Sequence, residues 1–262
     1  MRNNRKAVED RQAELLRMVT SEEEVPVEEL AEKLGVSAMT IRRDLSLLNR
    51  RGLLIRTHGK ALSLSFAEKK QQENRTVAEC RDRISRYAAG LVKDGETLFI
   101  NGSRTALGLL RYLEEKQVRV ITNNGWVLDE QYPENVRVRL LGGDLYDHVL
   151  IGEYVVESLI GLRADKLFIG CAAVYENGAF RYDIPTEIGI NEMMISRTKG
   201  KIYVLADHTK LQDRDVTGTV YGSCRYNIPV TLVTDDGADP GILEKLRTEG
   251  IETVVVRPED VE

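Results

Sequence analysis

Two groups of side chains in this 262-residue sequence are suited to chemistry, and both are suited to anions. The first is cationic. Arg42, Arg43, Arg50, Arg51, Arg56 and Lys60 fall within residues 40–60, where Asp44 is the only acidic residue. Such a cluster matches the phosphate contacts of nucleic acid, and any arginine that reaches a base edge could read sequence. The second group lies on turns that follow apolar runs. Asn101-Gly102-Ser103-Arg104-Thr105 sets a glycine, two hydroxyls and a guanidinium just before the periodic stretch ALGLLRYLEE. Backbone N–H groups at such a helix start cradle phosphate. Plain helix capping explains the same residues as well. Thr122-Asn123-Asn124-Gly125 and Gly142-Gly143-Asp144 are loops that let a ligand come close to the backbone, and each is also ordinary turn chemistry. Asp207-His208-Thr209-Lys210 adds a carboxylate able to take a ligand hydroxyl and a lysine able to act as a point charge on phosphate.

The cationic group sits on a helical pattern. Residues 8–20 carry Val8, Leu15, Leu16 and Val19 at helical intervals, and residues 27–34 repeat the pattern with Val27, Leu30, Ala31 and Leu34. Pro26 stands at the start of the second helix and Gly35 at its end. Ser37 is a natural N-cap for a third helix, with Ala38, Ile41, Leu45 and Leu48 as its apolar stripe. The opposite face then holds Met39, Arg43, Ser46 and Arg50, flanked by Thr40 and Arg42. Two helices about a tight turn, the second showing arginines outward, are a helix-turn-helix with a recognition helix. The segment LLIRTHGKALSL reads as a short hairpin turning at His58-Gly59, a wing whose Arg56, His58 and Lys60 suit phosphate.

Residues 63–75, SLSFAEKKQQENR, read as a polar connection needing little secondary structure, followed by a helix from Thr76 to Leu91. Beyond it seven apolar runs, at 97–101, 118–122, 136–142, 165–170, 201–207, 230–236 and 253–256, alternate with helical stretches. That alternation predicts an α/β domain, a mostly parallel sheet with helices on both faces. Ligands of such sheets settle beyond the carboxyl ends of the strands, where the turn-borne group lies. The domains expected are therefore 1–62 for DNA binding, 63–75 as linker and 76–262 as effector-sensing domain.

Composition narrows the class. A net charge of −5 conceals an uneven distribution, with 12 basic against 10 acidic residues up to position 62 and 25 against 32 afterwards. No apolar run reaches the ~18 residues of a membrane span, and the N-terminus is polar, so a cytoplasmic location is expected. Cys80, Cys171 and Cys224 are odd in number and widely spaced, as reduced structural thiols are. With His58, His148 and His208 equally scattered, no metal-ligand spacing emerges, so neither a metal nor a cofactor is expected.

The stretch 37–61 resembles the DNA-binding signature of the DeoR family of bacterial regulators, matching S-x-x-T-I-R-R-D-L at Ser37, Thr40, Ile41, Arg42, Arg43, Asp44 and Leu45. Lys60 stands where the family wing usually has glycine. The family's sensor motifs recur in order: Asn101 to Thr105, Thr122-Asn123-Asn124, Leu141-Gly142-Gly143, Asp165 to Gly170 and Asp207 to Lys210. The resemblance implies a ribose-5-phosphate-isomerase-like sensor and a regulator of sugar-catabolism genes controlled by a phosphorylated sugar or sugar acid. Three residues depart from the family: Asn101 replaces an aspartate, Arg104 a small or hydroxylated residue, and Asn191 a common lysine. The expected partners are operator DNA, the effector and further copies of the chain in a homodimer or homotetramer. An isomerase would need a positioned carboxylate base, for which Asp207 and Glu187 are the candidates, but it has no use for an arginine-faced helix-turn-helix.

Overall fold

The computed structural model describes residues 2–57, 59–212 and 223–261. The chain divides into two compact units, Met1–Thr76 and Val77–Glu262.

The first unit runs α1 (Arg2–Glu22), β1 (Glu24–Pro26), α2 (Val27–Lys33), α3 (Ala38–Arg50), β2 (Ile55–Thr57) and β3 (Lys60–Leu62). Leu15 and Val19 of α1, Leu30 of α2 and Ile41, Leu45 and Leu48 of α3 form one buried core with Val25, Leu54 and Ala61. Between α2 and α3 the chain turns through Gly35 at φ +60°, and Val36 N–H reaches back to Ala31 O at 3.1 Å, closing the helix with the bond pattern that favours glycine there. The wing hairpin of β2 and β3 lies where the sequence puts it. A third strand, β1, was not expected; it pairs antiparallel with β3, so the order is β1-β3-β2. Three residues ending in proline carry no periodic signal, and only a partner some 36 positions away makes them a strand.

Residues 63–75 differ from the expected irregular connection: α4 runs from Leu64 to Gly90. Ser63 Oγ caps its start by accepting from Phe66 N at 3.2 Å. The stretch is polar, but its Ala, Glu, Lys, Gln and Arg residues are strong helix formers and it contains no glycine or proline.

After α4, the second unit contains β4 (Thr97–Ile100), α5 (Arg104–Gly108), β5 (Val118–Thr122), β6 (Val136–Leu140), β7 (Asp144–Tyr146), β8 (Val149–Ile151), α6 (Glu153–Ile160) and β9 (Lys166–Ile169). It continues with β10 (Ala173–Tyr175), β11 (Phe180–Arg181), α7 (Thr186–Ser196), β12 (Ile202–Leu205), β13 (Leu211–Gln212), β14 (Ser223–Cys224), β15 (Thr231–Asp235), α8 (Pro240–Thr248) and β16 (Glu252–Val256). Among the described residues, β6-β5-β4-β9-β12-β15-β16 form a seven-stranded sheet, parallel at every pairing, built from the seven predicted runs. Alternate residues of one strand serve the two faces: Phe99 packs with α6, α7 and α8, whereas Leu98 and Ile100 pack with Ile84 and Ala88 of α4. The helix expected over ALGLLRYLEE is shorter, with α5 passing into a 3-10 turn at Leu109–Tyr112. The β7–β8 hairpin and the small sheet β13-β10-β11-β14 lie outside the expected pattern.

Strand order reverses direction between β4 and β9. Proceeding from β4, the chain first builds β5 and β6 on one side and then starts β9 on the other. Loops leaving the carboxyl ends of these two strands must diverge, which opens a crevice.

Candidate functional sites: an arginine face and an anion cavity

In the first unit Ser37 Oγ accepts from Thr40 N at 3.2 Å and lies 2.9 Å from Thr40 Oγ1, fixing the first turn of α3. Asp44, the one acid within the basic segment, turns inward. It is 6 % exposed and accepts from Arg11 Nε at 2.7 Å and Gln12 Nε2 at 2.8 Å on α1, so the outer face keeps its positive charge. Met39, Arg43 and Arg50 are exposed, and neither arginine has an ion-pair partner among the described residues. Arg42 is partly engaged, with Nη2 2.8 Å from Glu28 Oε1. Arg56 Nη1 donates to Ser46 Oγ at 2.7 Å, tying the wing strand to the recognition helix. Met39, Arg42, Arg43, Ser46, Arg50 and Arg56 together line a 340 Å³ concavity. Lys60 Nζ lies 2.5 Å from Glu24, so β1 holds its charge, and its backbone takes none of the strain that a glycine-requiring position would impose. His58 lies outside the described residues.

At the β4–β9 crevice a 460 Å³ cavity is lined by Asn101, Gly102, Ser103, Arg104, Thr105 and Lys210, all from the expected set. It also collects Arg81, Trp126, Tyr146, Asp147 and Asp183, which the sequence did not single out, and Glu187, which the sequence offered only as a candidate base. Three cations thus meet three carboxyl groups. Arg104 lies with its guanidinium carbon 4.5 Å from the Trp126 ring centroid, and the indole is stacked on His148 at 3.8 Å. Gly102 leaves no room for a side chain, since a Cβ would stand 2.7 Å from Glu187 Oε1 and 2.8 Å from Val149. An anionic head can meet the guanidiniums and ammonium while hydroxyls are taken by carboxylates. That is the division a phosphorylated polyol requires.

Thr122, Asn123, Asn124, Gly142, Gly143 and Asp207 do not line the cavity. Thr122 Oγ1 accepts from Asn124 N, and Asn124 joins the loops by donating to Ser103 O at 3.0 Å and accepting from Trp126 N at 3.1 Å. Asn123 Nδ2 donates to Leu150 O at 3.0 Å, holding the β7–β8 hairpin. A Cβ on Gly143 would stand 2.5 Å from Ile151 O, so that glycine serves close packing of the same hairpin. Asp207, 1 % exposed, accepts from Arg81 Nε at 2.7 Å and from Thr209, and so orients a cation of the cavity.

Asn101 is equally committed. It is 2 % exposed, its Oδ1 accepts from Gly170 N at 3.0 Å and Ser103 N at 3.2 Å, and its Nδ2 donates to Gly170 O at 3.1 Å and Asn191 Oδ1 at 3.3 Å. Two of the three departures from the family pattern therefore face each other. The two form a neutral amide pair, and Arg104 is the charged residue of the three, lining the cavity.

Burial pushes the Glu187 carboxyl up to about 7, and Asp183 adds repulsion. The folded value lies above that of the unfolded chain, so the fold holds this proton more tightly. Its stabilising contribution is complete below about pH 4 and is lost as pH rises through about 7. Urea midpoints measured between about pH 5 and about pH 8 should decline with a component that Glu187→Gln removes. The same decline in the variant would exclude this carboxyl as the source.

A winged helix with an exposed arginine face, joined to a parallel α/β unit with an anion-suited crevice, defines a DNA-binding transcription regulator with a sensor domain. Residues 11–66 match the DeoR-like helix-turn-helix domain and residues 76–235 the DeoR C terminal sensor domain. The chain belongs to the DeoR family. It is 32% identical over 249 residues to the lactose phosphotransferase system repressor of Staphylococcus aureus (strain N315), covering 91% of this chain and 96% of that protein. It is 29% identical over 260 residues to the HTH-type transcriptional repressor GlcR of Bacillus subtilis, covering 96% and 98%. Solved structures with low similarity include ribose 5-phosphate isomerase A of Methanocaldococcus jannaschii, at 18% identity and TM-score 0.36 over 52% of this chain and 55% of that one. Another is the Pyrococcus horikoshii translation initiation factor eIF-2B, at 13% and 0.45 over 82% and 74%. Among the described residues no helix is long and apolar enough to cross a membrane.

Proposed function

We propose that the chain is a sequence-specific repressor of carbohydrate-catabolism genes whose operator affinity is set by a phosphorylated sugar or sugar acid held at the β4–β9 crevice. The observation that carries this reading is the convergence of Arg81, Arg104 and Lys210 with Asp147, Asp183 and Glu187 around one cavity. The relatives named as repressors, one of a sugar phosphotransferase system, support the regulatory part. In this reading the cations take the phosphate and the carboxyl groups take hydroxyls. Ser103 and Thr105 add hydroxyl contacts, while Thr122, Asn123, Asn124, Gly142, Gly143 and Asp207 hold the loops in place. The chain works in the cytoplasm as a homodimer or homotetramer, because paired recognition helices match half-sites about one helical turn apart. The effector shifts operator affinity by its preference for one arrangement of the copies, and coupling of ~1–3 kcal/mol changes that affinity roughly 5–150-fold. The chain is not an isomerase in this reading: the relatives it matches over nearly their whole length are named as repressors, it carries a DeoR-like helix-turn-helix, and Glu187 at the cavity serves as a hydroxyl contact.

A thermal-shift screen of phosphorylated sugars and sugar acids against their neutral counterparts, followed by gel shift with each hit, tests the proposal. Equal stabilisation by neutral sugars would overturn it. Arg104→Ala or Lys210→Ala should leave DNA binding without effector unchanged and weaken the response by about 10–100-fold in ligand concentration, the worth of one charge-assisted hydrogen bond. Arg43→Ala should cost about 1–3 kcal/mol of operator binding and relax preference at one base position. A uniform loss across all sequences would instead assign Arg43 to phosphate.

A further inference from the structure

We infer that Cys80, His208 and Asp235 form a transition-metal site in the sensor unit, suited to zinc and leaving one coordination position open. The three come from α4, from the turn after β12 and from the end of β15, and one donor atom from each lies within 4.8 Å of the others. Cys80 is 3 % exposed and Asp235 is fully buried. His208 Nδ1 lies 2.7 Å from Asp235 Oδ1, and the same carboxylate is held by His208 N at 2.7 Å and Gly237 N at 3.0 Å. Ligands fixed by backbone donors are the outer support that metal sites use. Gly237 permits this closure, since a Cβ there would stand 2.8 Å from the His208 ring nitrogen and 3.0 Å from Asp235 Oδ1.

The donor set is one thiol, one imidazole and one carboxylate, and this borderline-soft mixture suits tetrahedral zinc with a fourth position for water. Charge also balances. A thiolate and a carboxylate neutralise a divalent cation, and Arg83, whose Nη2 lies 3.2 Å from Cys80 Sγ, keeps a second partner in Asp236 at 3.0 Å. His208 lies two positions from Lys210 and next to Asp207, which holds Arg81. A metal here would therefore fix the turn that carries Lys210 of the anion cavity and Asp207, the carboxylate that orients Arg81. The inference stands on these ligands alone, whichever effector occupies the crevice.

The test is a cobalt(II) titration of the full-length, reduced, chelator-treated protein. One equivalent should bind, with the near-ultraviolet thiolate-to-cobalt charge-transfer band and the visible spectrum of a four-coordinate ion, and zinc should displace it. Cys80→Ser should abolish the charge-transfer band, while Cys171→Ser should retain it. At the half-exposed position His208→Gln should fold, and it should bind cobalt at least about tenfold more weakly. No charge-transfer band at one equivalent would overturn the inference, as would a band that survives Cys80→Ser or an affinity unchanged by His208→Gln.

Discussion

Asp44→Ala should lower the stability of the winged-helix unit by about 3 kcal/mol, the range measured when one partner of a buried pair is removed. The carboxylate satisfies the Arg11 guanidinium and the Gln12 amide, so its loss strands two donors between α1 and α3. In a unit of this size that corresponds to a fall of more than about 10 °C in the thermal midpoint of the DNA-binding half. Operator binding should disappear at the same temperature, although Asp44 points away from the arginine face. Asp44→Asn keeps an acceptor for Gln12 and should cost about 1 kcal/mol. Calorimetry of the full chain decides the matter. If both variants melt like the parent, the α1–α3 pair is not what holds the recognition helix.

Asn101→Asp should destabilise the sensor unit by a comparable ~3 kcal/mol at neutral pH, despite restoring the residue the family usually has. It places a carboxylate at a site 2 % exposed and removes the donor to Gly170 O and to Asn191 Oδ1. The cost should diminish at acid pH, because a buried carboxyl with no cation beside it keeps its proton. Adding Asn191→Lys supplies that cation, so the double variant should recover much of the loss, with a coupling above about 1 kcal/mol. Additive single and double effects in urea denaturation would show that the two positions do not communicate. Recovery would establish the neutral pair as a joint replacement of an ion pair.

Local patterns were enough for the framework. The apolar stripe of α3, its Ser37 cap and the turn at Gly35 are each set by neighbours within a few positions, and all seven core strands were visible as short apolar runs. Arg104, Lys210 and the Asn101–Thr105 turn could be found because loops after parallel strands collect at one edge. Arg81, Trp126, Asp147 and Asp183 could not, since they come from a helix face, a 3-10 turn, the tip of a hairpin and a loop with no anion-binding signature. Direction of side chains was equally hidden. Thr122, Asn124 and Asp207 have the types of ligand contacts, yet each spends its polar atoms on loops or on Arg81.

The cysteine and histidine spacing shows the same limit from the other side. Cys80, His208 and Asp235 are unremarkable as a sequence and adjacent only in the fold, because α4 brings Cys80 to the ends of two parallel strands whose His208 and Asp235 lie more than a hundred residues further along the chain. Sequence alone determined the helices and wing of the first unit, the Ser37 cap, the seven strands of the large sheet and that cations gather at two places, since those are short-range choices of backbone and periodicity. Tertiary structure decided which polar groups line the cavity and which are spent on the scaffold. Hydrogen-bond and charge partners are selected by distance in space, and that distance exists only once the sheet has assembled.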